Sequence, residues 1–142
     1  MLKRIVFTCF LVAVGPVHAD STLVIANAWI RHVPGNHPMA GYFVLENNGS
    51  GDRSLVGASS PAFDDVRLHR TNEENGMASM APVESVAIPA HGRVAFQPGG
   101  YHLMMMHPRQ ELQPGDSVAV TLHLDNGEDL KTSFAIKPPW QE

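Results

Sequence analysis

Four side chains stand at spacings that could build one metal site. His69 and Met80 are separated by ten residues, Met80 and His102 by twenty-one, and His102 and Met104 by Leu103 alone. A lone surface histidine is usually solvated, and a lone methionine usually fills a core. Two imidazoles with two thioethers, and no thiolate or carboxylate among them, make a set suited to Cu(I). Thioether sulfur is a soft donor that selects Cu(I), whereas Mg²⁺ and Ca²⁺ choose oxygen. Four neutral donors would leave such a site at about +1, which disfavours Cu(II) with its preference for harder, tetragonal surroundings.

Those donors need rigid elements to aim them. After the Pro98-Gly99-Gly100 turn, Tyr101–Met106 is expected to run extended. Successive side chains on a strand alternate between faces, so His102, Met104 and Met106 would share one face and Tyr101, Leu103 and Met105 the other. His69 ends a candidate strand over 65–70; with Val66 and Leu68 inward it would face outward. The stretch 72–80 is polar and contains glycine, so Met77 and Met80 are expected on a loop or at its exit.

Alternation of period two continues through the chain. Candidate strands lie at 23–31 (in two pieces), 41–47, 54–59, 83–88, 93–97, 117–124 and 130–136, punctuated by Pro34-Gly35, Asn48-Gly49-Ser50-Gly51, Pro114-Gly115 and a hairpin signal at Asp125-Asn126-Gly127. No window shows sustained helical periodicity. The expected fold is all-β, a single-domain antiparallel sandwich or barrel.

Residues 1–19 read as a secretory signal peptide. Lys3 and Arg4 precede the apolar run Ile5–Val14, and Val17-His18-Ala19 offers a cleavage site after Ala19. The run is shorter than the roughly 20 residues of a membrane span. The mature domain would then be 20–142, exported and free of cysteine, because Cys9 lies in the leader in no lipidation-type context. A domain without cysteine has no disulfide scaffold, cysteine nucleophile or thiolate metal site. The formal charge is −4, and −6 without Lys3 and Arg4, which argues against nucleic acid as a partner.

Other residues invite weaker readings. His32, His37 and Met39 could form an accessory copper cluster, and Met106 with His107 could extend the main site. Asp64 and Asp65 are adjacent, so they should point to opposite faces rather than share a proton. There is no P-loop, Gly-x-Ser-x-Gly elbow or His-Glu-x-x-His, and no nucleophile is seen beside a base. An enzyme is therefore not expected.

The His69…Met80…His102-x-Met104 spacing resembles the signature of the periplasmic copper chaperones called PCu(A)C. Pro98-Gly99-Gly100-Tyr101-His102-Leu103-Met104, Trp29-Ile30-Arg31, Ala40-Gly41-Tyr42-Phe43 and Leu112-Gln113-Pro114-Gly115-Asp116 are similar to further blocks of that family, and the likeness spans most of 22–137. The resemblance implies a cupredoxin-like Greek-key β fold and one Cu(I) per chain held by His69, Met80, His102 and Met104. It also implies delivery to the CuA centre in subunit II of cytochrome c oxidase, with or alongside a Sco-type protein. The chain would act as a monomer in the periplasm. The alternative is periplasmic copper storage or resistance with no dedicated acceptor. The Pro138–Glu142 end lacks the His- and Met-rich tail of some members, which argues against a second, Cu(II)-type site there.

Overall fold

The computed structural model describes residues 22–141; the expected signal peptide lies outside them. Ten strands form one sheet: β1 (Leu23–Arg31), β2 (Met39–Asn47), β3 (Arg53–Ser59), β4 (Phe63–Glu74), β5 (Met77–Pro82), β6 (Val86–Ile88), β7 (Arg93–Phe96), β8 (Tyr101–Pro108), β9 (Ser117–Leu124) and β10 (Asp129–Lys137). Their order is β5-β4-β8-β2-β1-β10-β9-β3-β6, with β7 on β2. All pairs are antiparallel except β1 with β10, which run parallel from Trp29↔Ala135 to Arg31↔Lys137. Among the described residues no helix is long and apolar enough to cross a membrane. The architecture is the all-β, cupredoxin-like one expected.

The inner face of the curled sheet is one core. Phe43 stacks on Phe96 at 4.3 Å between ring centres and meets Phe134 edge-on at 5.7 Å. Leu103 and Met105 of β8 are fully buried there with Leu68 of β4 and Met39 of β2. Each such side chain contributes roughly 1.5–3 kcal/mol by leaving water. Because β8 commits Leu103 and Met105 inward, the pleat turns His102, Met104 and Met106 outward, as the alternation predicts.

Two local features reset the outer face. Asn27 and Ala28 of β1 stand against Phe43 alone on β2, and Asn27 takes φ 53°. A bulge of this kind flips the parity of the strand beyond it. Leu23 and Ile25 point inward before it; Ile30 does so after it, leaving Trp29 and Arg31 outside. The second feature corrects the expected loop at 72–80. β4 runs on to Glu74, Asn75 and Gly76 turn with φ 52° and 74°, and β5 returns in unbroken register from Glu74↔Met77 to His69↔Pro82. Asn-Gly with both residues left-handed is the two-residue hairpin turn that matches strand twist. Met77 and Met80 therefore sit on a strand.

Candidate metal site

His69 and His102 are direct cross-strand partners, with ring centres 5.8 Å apart. Paired residues project from the same face, so both rings stand on the outside of the sheet. The next outward pair along the two strands is Arg67↔Met104, which places Met104 diagonally beside His69. On the other side of β4, Met80 is opposite Thr71, one outward step beyond the Pro82 that faces His69. All four donors thus share the outer face of three adjacent strands, with His69 at the centre.

The structure does not bring all four equally close. His69, His102 and Met104 are neighbours. Met80 lies diagonally on the far side of His69 from Met104; on a flat sheet the two methionine Cα atoms would be roughly 16 Å apart from strand spacing and rise. Met80 is also 59% exposed, whereas Met104 is half-buried and His102 only 2% exposed. Closing all four donors on one ion requires the β4–β5 arm to bend toward β8.

Hydrogen bonding leaves the imidazoles ready for a ligand role. His102 Nδ1 lies 3.3 Å from the carbonyl oxygen of Gly100, which also accepts the Thr71 backbone N–H at 3.0 Å. A carbonyl can only accept, so His102 donates from Nδ1 and its Nε2 keeps a lone pair. That Nε2 is buried with no hydrogen-bond partner, and so is Nδ1 of His69. Buried nitrogens are rarely left unsatisfied; two on facing rings beside thioethers fit a soft metal ion. Among the described residues no group of three His, Cys, Asp or Glu side chains gathers, so the thioethers are what could complete the set.

Electrostatics favours the neutral form of both rings. Burial pushes the His69 pKa below its ordinary 6.5, and the neighbouring His102 and the Arg67 guanidinium lower it further. Burial also lowers that of His102, opposed by the hydrogen bond to Gly100. Arg67 donates to Asp65 on the same outer face at 2.6 Å.

The sequence singles out these four side chains but not the aromatic wall beside them. The Tyr42 ring is 6.5 Å from His102, Trp29 packs on Tyr42 at 4.8 Å, and Arg31 lies 5.6 Å over both. Lys137 covers Trp29 from 5.1 Å. This stack closes the β2 side of His102. Its only signal in the sequence is the pair of blocks containing Trp29-Ile30-Arg31 and Tyr42.

Other candidates separate. Met39 is in the core opposite Met105, and His32 is buried with Nε2 2.9 Å from the Leu112 carbonyl oxygen, so His32, His37 and Met39 do not assemble. Met106 shares the outer face with Met104, opposite Asp65, while His107 is exposed and breaks the alternation with φ 52°. Asp64 and Asp65 pair with different arginines, Arg109 and Arg67. The reading that no nucleophile meets a base needs correction. His123 Nδ1 is 2.7 Å from Asp129, and Nε2 is 3.0 Å from the Ser59 hydroxyl. Strand register makes this chain, since His123 faces Gly57 on β3 and Asp129 on β10; it lies on an exposed sheet surface.

An all-β, cupredoxin-like domain with an outward His/Met cluster defines a class. The chain belongs to the family described as "Putative lipoprotein LpqE-like", whose model matches residues 23–136, and its likeness to the PCu(A)C copper chaperones holds. The protein Lxx21020 of Leifsonia xyli subsp. xyli is 32% identical over 114 residues, 80% of this chain and 68% of that one. The Cu(I) form of DR1885 from Deinococcus radiodurans superposes with a TM-score of 0.67 at 31% identity, covering 85% of this chain and 81% of that one. The copper-bound PCuAC domain from PmoF2 gives 0.71 at 20% identity, covering 86% and 97%, and shares the fold.

Proposed function

We propose that this protein is a periplasmic carrier of Cu(I), not an enzyme, and that it binds one ion per chain through His69, Met80, His102 and Met104. The observation that carries this reading is the pair of buried, unpartnered nitrogens, His69 Nδ1 and His102 Nε2, on the face that also bears both thioethers. The Cu(I) and copper-bound forms of the similar proteins support it, and so does the description of relatives as lipoproteins, which are exported.

Cu(I) is cargo here. The two imidazoles and Met104 offer a preformed half-site on rigid strands, and Met80 completes it from the hairpin. Without a thiolate, copper is held yet can pass to a thiolate-bearing acceptor by stepwise replacement of thioethers. The acceptor in this reading is the CuA centre of cytochrome c oxidase subunit II, directly or through a Sco-type protein. The test is anaerobic mixing of the Cu(I)-loaded protein with an apo soluble CuA domain, then separation of the two proteins and measurement of the copper content of each. Copper transfer is expected; tight Cu(I) binding with no transfer would favour storage.

A further inference from the structure

Sheet edges offer unpaired backbone N–H and C=O groups, and proteins blunt them with charge, proline, bulges or shortness. In this sheet β6 has three residues and is followed by Pro89, and β7 has four and opens with Arg93. β5 has only a terminal proline by way of defence. Its six residues, Met-Ala-Ser-Met-Ala-Pro, include no charge, pair with β4 without a register shift, and reach a proline only at the last position. It ends the strand order, and nearly all of it is exposed. The backbone groups of alternate residues on its free side point away from β4. Met80, the most exposed of the four donors, stands in the middle of it.

We propose that β5 is the docking edge for the partner with which copper is exchanged: an extended, uncharged segment of that partner adds to β5 as a further strand and sets a thiol or thioether side chain beside Met80. The proposal rests on the copper-carrier reading above. Residues directly opposite across a strand pair have Cβ atoms about 5 Å apart, so a partner sulfur opposite Met80 is within reach of its ion. Exchange is then ligand substitution. A partner sulfur forms a bond to copper as the Met80 sulfur bond breaks, a thiol releases its proton to solvent, and copper stays Cu(I) with no electron moved.

The size of the edge argues for a transient partner rather than a second copy. Six residues make a strip about 20 Å long and one strand spacing deep, on the order of 100 Å², far short of the roughly 1,200–2,000 Å² of a stable interface. Two loaded copies paired at β5 would also bring like-charged sites together and give neither an acceptor.

The test uses the mature protein loaded with Cu(I), an apo soluble CuA domain as probe, and amide hydrogen exchange with transfer kinetics. Mixing should protect alternate amides of β5. Ser79→Lys and Ser79→Glu each place a charge on the edge, away from the face of Met80. Both should leave Cu(I) affinity within twofold, slow transfer at least tenfold, and abolish the protection. The agreement of opposite charges would separate edge blocking from long-range attraction. Transfer that proceeds at full rate in both variants with no protection of β5 would overturn the proposal while leaving the carrier reading intact. Protection of β5 that grows with protein concentration alone would make a second copy the occupant and overturn it too. Tight Cu(I) binding with no transfer to the CuA domain from the unsubstituted protein would remove both the CuA reading and the proposal.

Discussion

His69 and His102 face each other across β4 and β8 at 5.8 Å, and each keeps a buried ring nitrogen with no hydrogen-bond partner. An unsatisfied buried polar atom costs about 1–3 kcal/mol. Such a cost persists where a site needs the atom free for something else.

Replacing that nitrogen with carbon should stabilise the metal-free protein. His102→Phe keeps a planar ring, removes the orphaned Nε2, and leaves the Gly100 carbonyl bonded to Thr71. We expect a gain of about 1 kcal/mol together with loss of tight Cu(I) binding. Thermal unfolding of the metal-free variant, beside a Cu(I) titration, reads both. A destabilised variant would mean that the His102 ring is a structural group.

Acid should weaken the metal-free fold. Both histidines have pKa values lowered below 6.5, so the unfolded chain binds more protons than the folded one once pH falls through that value. Their contribution is present in full above it and is lost as pH drops toward the folded values. Urea midpoints between about pH 8 and 5, the imidazole range, should be flat at first and then decline. The His69→Gln, His102→Gln double variant should decline less. Equal profiles for the two proteins would contradict the assigned environments. Copper binding has the same sign: protons should compete for these lone pairs at a lower pH than they would for free imidazole.

The two methionines should differ. Met104 is half-buried on β8 beside both rings, and Met80 is exposed on the edge. Met80→Leu should leave stability within about 0.5 kcal/mol and weaken Cu(I) binding less than Met104→Leu, which nearly conserves volume. Competition with a Cu(I) chelator ranks them. Unchanged affinity in the double variant would make both thioethers bystanders.

The hairpin turn offers a test that touches no donor. Gly76 sits at φ 74° with open space where a Cβ would stand. Gly76→Val strains a left-handed position at a cost of roughly 1–2 kcal/mol, so exchange of the β5 amides should accelerate and Cu(I) affinity should fall. Affinity unaffected by a frayed hairpin would mean that Met80 needs no strand to place it.

Much of the fold and site is legible in the sequence because it depends on parity. Leu103 and Met105 alternate with His102 and Met104, so any sheet that buries the first pair must expose the second. The Asp125-Asn126-Gly127 turn is legible because alternating apolar residues flank it. The equivalent Asn75-Gly76 signal is obscured because its flanks, Thr71–Glu74 and Met77–Pro82, are too polar and small to look like strands. Pairing, not burial, holds that arm. The aromatic wall is hidden by the Asn27 bulge, which reverses the parity of Trp29 and Arg31 and cannot be seen in a pattern of alternation. The Ser59–His123–Asp129 chain joins residues far apart in sequence and depends on register, which no local motif encodes.

Copper K-edge X-ray absorption on the anaerobically Cu(I)-loaded mature protein would decide whether these imidazoles and thioethers hold the ion. One copper per chain with both nitrogen and sulfur neighbours is expected, the sulfur contribution falling in Met104→Leu and the imidazole scattering falling in His102→Phe. A spectrum with only oxygen and nitrogen neighbours, unchanged by either substitution, would contradict a His/Met copper site.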